Sequence, residues 1–79
     1  MHYKYRINHL LSLLPAGIYP ESVMHTLELY YQISPQIFHR DRYLLLENDE
    51  EIPYERLVIY AQVLAVSLDE LITRRVSLV

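Results

Sequence analysis

At 79 residues the chain is one domain, near the lower limit at which a single core supports itself, and without cysteine it has neither a disulfide framework nor a thiolate metal site. Ten acidic against seven basic residues leave a net charge of −3, which argues against a protein held to nucleic acid mainly by non-specific phosphate attraction while leaving room for a local basic patch. No apolar run approaches the ~18 residues of a membrane span, and the opening Met-His-Tyr-Lys-Tyr-Arg lacks the apolar core of a signal peptide, so the expectation is a cytoplasmic protein with no membrane partner.

In chain order, residues 3–14 place Ile7, Leu10, Leu11 and Leu14 at helical spacing and stop at Pro15-Ala16-Gly17. Gly17 is the only glycine, which assigns it to a turn that needs positive φ. A second helix opens at Pro20-Glu21-Ser22, with proline and an acid where a helix N-terminus favours them. Its expected inner face carries Val23, Leu27, Tyr30 and Tyr31, and it ends near Gln32-Ile33.

Ser34-Pro35 restarts the chain as N-cap and first helical residue. This third helix spans about 35–45, with Ile37, Phe38 and Leu45 as its apolar positions and Gln36, His39, Arg40 and Tyr43 on its exposed face. A short extended piece at Leu44-Leu45-Leu46 is the alternative for its end, because short apolar runs are ambiguous. Residues 47–51, Glu-Asn-Asp-Glu-Glu, form an acidic solvated loop that lacks the ligand alternation and glycine of a calcium site.

Pro53 then opens a fourth helix whose Leu57, Tyr60, Ala61 and Leu64 share one face. A tight break at Val66 leads to a fifth helix, where Ser67 and Glu70 have the spacing of a capping box. Nothing alternates with period two long enough to demand a sheet, so the fold class is all-α with five short helices. Eight tyrosines against one phenylalanine and no tryptophan place apolar rings with polar tips at boundaries and interfaces. Tyr31 and Tyr60 are expected in the packing.

The pattern Leu57-x-x-Tyr-Ala-x-Val-Leu-x-Val-Ser-Leu-Asp-Glu-Leu71, together with Ile33-Ser34 opening the third helix, resembles the Cro/lambda-repressor-like (XRE-type) helix-turn-helix DNA-binding domain over about residues 5–73. The resemblance implies that helix three is a recognition helix and that the partner is double-stranded DNA. Ser34 and Arg42 would then face phosphates, and Gln36, His39 and Arg40 would face base edges. Phe38 would fill a buried slot. Glutamine pairs bidentately with adenine and arginine with guanine in the major groove. A homodimer reading half-sites ~34 Å apart is implied as well, with residues 73–79 as a candidate dimerisation tail. Where the family favours glycine in its two turns, this chain has Gln32 and Ala65, and Glu28 stands where a small buried residue is usual.

Two other readings apply to the same residues. The basic side chains of helix three also suit an ordinary solvated surface, with Arg40 or Arg42 paired to Asp41 or Glu47. The fold also suits an interaction module that binds a protein partner through its tyrosine-rich and acidic surfaces. An acidic loop folded over helix three favours the module; a basic face clear of that loop favours DNA. No enzyme is expected, since there is no nucleophile elbow, phosphate-cradling loop or thiol. No metal, cofactor or small-molecule substrate is expected either, because there is no cysteine and none of the four histidines has another histidine at i+3 or i+4.

Overall fold

The computed structural model describes residues 2–72, and the candidate dimerisation tail at 73–79 lies outside them. Five helices follow one another: α1 (Ile7–Ser12), α2 (Pro20–Tyr31), α3 (Pro35–Arg42), α4 (Tyr54–Leu64) and α5 (Leu68–Leu71). Among the described residues there is no strand, so the all-α expectation holds at that level; pairing is limited to two isolated antiparallel bridges, Tyr3 with Leu45 and Tyr5 with Ile72.

Those bridges explain two boundaries that differ from the sequence reading. The first helix was expected from residue 3, but Tyr3 and Tyr5 are extended and α1 begins at Ile7. The Lys4 amide donates to the Leu44 carbonyl at 2.7 Å, the Arg6 amide to Leu71 at 2.6 Å, and the Leu46 amide to His2 at 2.9 Å. The N-terminal segment thereby runs between the chain leaving α3 and the chain leaving α5. The same bonds end the third helix at Arg42 rather than near residue 45. The Leu44 carbonyl and the Leu46 amide are satisfied across this seam instead of along a helix.

Elsewhere the local chemistry acts as anticipated. Pro20 stands at the start of α2 with Glu21 in the first turn, and Val23 and Leu27, one turn apart, are buried. Ser34 Oγ accepts the Ile37 amide at 3.2 Å, capping α3 ahead of Pro35. The capping box of α5 is complete: Glu70 N–H donates to Ser67 Oγ at 3.3 Å and Ser67 N–H to Glu70 Oε1 at 3.0 Å. The bond from the Ser67 backbone first, and then one from the Ser67 hydroxyl to Glu70 Oε1 at 3.2 Å, hold the Glu70 carboxyl below its usual range. Pro53 lies one position earlier than expected, as the residue before α4.

Gln32 and Ala65 both adopt the left-handed conformation, with φ of 54° and 58°. After Gln32 the Ile33 amide reaches back to the Leu27 carbonyl at 3.1 Å, and after Ala65 the Val66 amide reaches Ala61 at 3.0 Å. These bonds close the helix ends and turn the chain sharply. Each non-glycine residue in that conformation costs roughly 1 kcal/mol, a strain the core offsets. Gly17, at φ 89°, takes the third such turn, and its requirement is purely conformational, because a Cβ there would meet nothing within 4 Å.

The core gathers Ile7 and Leu11 from α1, Leu27 from α2, Phe38 from α3, Tyr60 from α4 and Leu71 from α5. Fully burying one such aliphatic side chain contributes about 1.5–3 kcal/mol. Tyr60 joins this packing as expected, but Tyr31 does not: it is exposed, and so is Tyr30 at 69%. On α2 Val23 and Leu27 are buried and Met24 packs half-buried against the core, which leaves both tyrosines outside the buried stripe. Glu28 is exposed too, so its carboxylate occupies no buried slot.

Candidate functional site on helix α3

The inward side of α3 is anchored from two directions. Phe38 packs its ring 5.5 Å from that of Tyr60, inclined by 51°. One turn along, Asp41 is 2% exposed, the buried charged residue of the described core. Its Oδ2 accepts from Arg56 Nε at 2.7 Å and from the Tyr60 hydroxyl at 2.5 Å, while its Oδ1 accepts from Arg56 Nη2 at 3.1 Å. Both oxygens of the carboxylate are thus engaged, the condition under which a buried charge is tolerated. Burial first, and then the bond to Asp41, push the Tyr60 hydroxyl well above its ordinary range. Burial alone would lower the Arg56 pKa, but the hydrogen bond and charge of Asp41 outweigh it and raise it.

The second anchor is Arg42. Its Nε donates to Asn8 Oδ1 at 2.7 Å, and Asn8 Nδ2 donates to the Arg42 carbonyl at 3.1 Å, tying α3 to α1. The Arg42 guanidinium lies 5.5 Å from the Phe38 ring centre and 5.2 Å from that of Tyr43. Tyr43 also packs its ring 4.8 Å from that of His39, inclined by 52°, and meets Tyr3 edge-on at 5.6 Å. Arg42, half-buried among these partners, has its charge engaged within the protein.

Outward, α3 presents Gln36, His39 and Arg40, all exposed and spaced i, i+3 and i+4. Ser34 sits half-buried at the head of the helix with its hydroxyl already capping the Ile37 amide. A shallow depression lined by Met24, Pro35, Gln36 and His39 opens beside this first turn. Of the five candidate residues, the fold therefore brings Ser34, Gln36, His39 and Arg40 to one accessible edge and turns Arg42 toward α1.

The acidic loop approaches the far end of that edge. Glu50 Oε2 stands 3.3 Å from Arg40 Nη2, with both side chains nearly 60% exposed. The pairings anticipated for an ordinary helix surface, Arg40 or Arg42 with Asp41 or Glu47, are replaced by Arg40–Glu50 and Arg56–Asp41 among the described residues. Lys4 is drawn to the loop as well, donating to the carbonyls of Asn48 and Glu50. The loop thus meets one residue of the outer edge and leaves the Gln36–His39 turn open.

What sequence reasoning missed is the buried pair of Asp41 with Arg56 and the bond that the Tyr60 hydroxyl adds to it. The signal was present: Asp41 falls three positions after the buried Phe38, on the apolar side of the helix, where an unpaired carboxylate would be untenable. Arg56 and Tyr60 stand one turn apart on the next long helix, the spacing that lets two donors converge on one acceptor. Among the described residues, no group of three or more His, Asp or Glu side chains is arranged to hold a metal ion, and no helix is long and apolar enough to cross a membrane.

Comparison with protein families, with characterised proteins and with solved structures returns no match to this chain, so its own residues carry the functional argument.

Proposed function

We propose that the chain is a sequence-specific DNA-binding transcriptional regulator of the lambda-repressor-like helix-turn-helix type, with α3 as its recognition helix. The observation that carries this reading is the way α3 is presented. A left-handed turn at Gln32 follows α2, Ser34 caps the new helix, Phe38 and Asp41 anchor its inner side, and Gln36, His39 and Arg40 project from the outer one. Eight residues give α3 a length of about 12 Å, which suits insertion of its first turns into a major groove about 12 Å wide. Gln36 and Arg40 supply the side-chain chemistry that reads adenine and guanine. Ser34 offers a hydroxyl and a helix N-terminus to phosphate. In this reading the protein acts in the cytoplasm as a homodimer on two half-sites.

Selection from a random duplex pool at low salt tests the proposal, with Arg40→Ala and Gln36→Ala run alongside. Enrichment of a two-fold-related motif is expected, relaxed at one base position in each variant. A variant that loses affinity evenly across sequences would mark its residue as a phosphate contact. No enrichment by a protein whose helicity is verified in the same buffer would remove the DNA reading.

The Arg40–Glu50 pair favours a second reading, a helical scaffold that binds a protein partner. The exposed apolar side chains Ile18, Tyr19, Leu29 and Tyr30 would then supply contact area. Under this reading the pool yields no motif, and Arg40→Ala has no binding phenotype on DNA.

A further inference from the structure

One side chain on the outer edge of α3 is braced by an aromatic ring, and the brace begins in the N-terminal segment. Tyr3 pairs with Leu45 in an antiparallel bridge. Tyr43, two positions before Leu45, therefore stands as the diagonal neighbour of Tyr3 across that pairing, within reach of an aromatic side chain. The two rings meet edge-on, 5.6 Å apart and inclined by 75°, an arrangement that aromatic pairs favour. Arg42 supports Tyr43 from a second side, with its guanidinium 5.2 Å from the ring centre and its Nη2 3.5 Å from the hydroxyl. Arg42 is itself tied to Asn8 of α1. Tyr43 is the C-cap of α3, yet its ring is placed by residues from two elements distant in sequence.

What this ring meets in turn is His39. Tyr43 follows His39 by four positions, the spacing at which side chains on one helical face touch. A long side chain at the end of a helix leans back over the preceding turn, and the Tyr43 ring centre lies 4.8 Å from that of the imidazole. Arg40, by contrast, meets an exposed carboxylate in a pair shared with solvent. An unrestrained imidazole swings about two torsions, and its two nitrogens are not equivalent, since one donates and the other accepts when the ring is neutral. Contact with a base edge needs that ring in one orientation, so ordering it beforehand reduces the entropy lost on binding.

We infer that Tyr43 is a positioning residue for DNA recognition: held by Tyr3 and Arg42, its ring orders the His39 imidazole for contact with one base pair. The inference rests on the DNA-binding reading above. It gives the N-terminal segment a part in recognition without placing that segment in the groove. Tyr43 acts through His39 alone, and its hydroxyl is dispensable.

The test compares wild type, Tyr43→Phe, Tyr43→Leu, Tyr3→Leu, His39→Ala and the double variant of Tyr43→Leu with His39→Ala. Tyr43 is 40% exposed, so leucine is tolerated there, and circular dichroism verifies that each variant is folded. In the free proteins, the NMR shifts of the His39 ring protons report the aromatic ring beside them. Tyr43→Phe should keep those shifts, Tyr43→Leu should move them to the values of a solvated histidine, and Tyr3→Leu should move them partway. On the duplex enriched from the pool, Tyr43→Leu should lower affinity about threefold, the scale of one side chain's lost ordering. It should also relax discrimination at the base pair that His39→Ala relaxes, while Tyr43→Phe matches wild type in both respects. In the His39→Ala background, Tyr43→Leu should cost nothing further.

His39 shifts that stay in place in Tyr43→Leu would overturn the inference while the DNA reading stands. So would unchanged affinity in that variant, or a loss that persists in full without His39. An even loss across sequences in Tyr43→Phe would make the hydroxyl a phosphate contact and overturn it as well. If wild type enriches no duplex at low salt, the DNA reading fails and the inference falls with it, whatever the ring shifts show.

Discussion

Turned inward, α3 carries Phe38 and Asp41, both at 2% exposure or less and both held by α4. Turned outward, the same eight residues carry Gln36, His39 and Arg40, whose single ion pair is shared with solvent. The difference teaches how so small a domain can hold one helix face steady and leave the opposite face exposed as the proposed recognition surface. Its charges are divided between a buried pair that fixes the helix and exposed groups that are free to bind. Substitutions should separate accordingly, with stability following the inner side and binding the outer.

The largest effect is expected at Asp41. In Asp41→Ala, Arg56 and the Tyr60 hydroxyl lose their common acceptor, and removing one partner of a buried pair costs about 3–5 kcal/mol. Because Arg56 remains 22% exposed and can turn to water, the low end applies, about 3 kcal/mol. For a domain of this length that lowers Tm by roughly 15 °C, measurable by thermal unfolding followed by circular dichroism. A loss below about 1 kcal/mol would show that the inner side is no firmer than the outer and would dissolve the contrast.

Next come the two left-handed turns that frame the comparison. Gln32→Gly relieves left-handed strain but loosens the unfolded chain, for a net gain of about 0.5 kcal/mol. Ala65→Gly should behave alike, and chemical denaturation of both variants checks the pair. A loss of stability in either would mean that the side chain there contributes more than its backbone strain removes.

On the outer side, Arg40→Ala should change stability by no more than about 0.5 kcal/mol, since its pair with Glu50 is exposed. The same variant should lose about 1–3 kcal/mol of affinity for the selected duplex. Comparable losses in both quantities would erase the division between the two sides.

The smallest effect concerns Glu70, where the expected signal is a pH dependence. Its carboxyl is held below the ordinary range of a glutamate, first by the Ser67 backbone bond, then by the Ser67 hydroxyl. A depressed folded value means that its contribution is present above the unfolded value and lost as pH falls through the folded one. The stability difference between wild type and Glu70→Ala should thus be constant above about pH 5 and shrink under stronger acid. A difference that persists unchanged at pH 2 would show that the capping box does not depend on the ionised carboxylate.

Much of this contrast could be read from residue order, but not all of it. The capping box at Ser67, the cap at Ser34 and the outward placement of Gln36, His39 and Arg40 follow from spacing and local chemistry alone, while the turns at Gln32 and Ala65 were read from the resemblance. What escaped depends on contacts distant in sequence. The end of α3 is set by the pairing of residues 44–46 with residues 2–4, forty or more positions away, which helical periodicity cannot register. Asp41 looked like one more charge on a basic helix, and only the arrival of Arg56 and Tyr60 makes it part of the core. Arg42 matched Arg40 in type and neighbourhood, yet Asn8 of α1 draws it inward. Tyr30 and Tyr31 followed helical phase, but the stripe of α2 that meets the core is formed by Val23, Leu27 and the half-buried Met24.

The central claim is that the outer side of α3 is the binding surface, and its most direct test is a titration of the isotopically labelled protein with short duplex DNA, followed amide by amide in NMR spectra. Changes centred on Ser34, Gln36, His39 and Arg40, fading with added salt and leaving the Leu29–Tyr30 side of α2 still, are the predicted result. Changes confined to that α2 surface, or none at all at low salt, would contradict it.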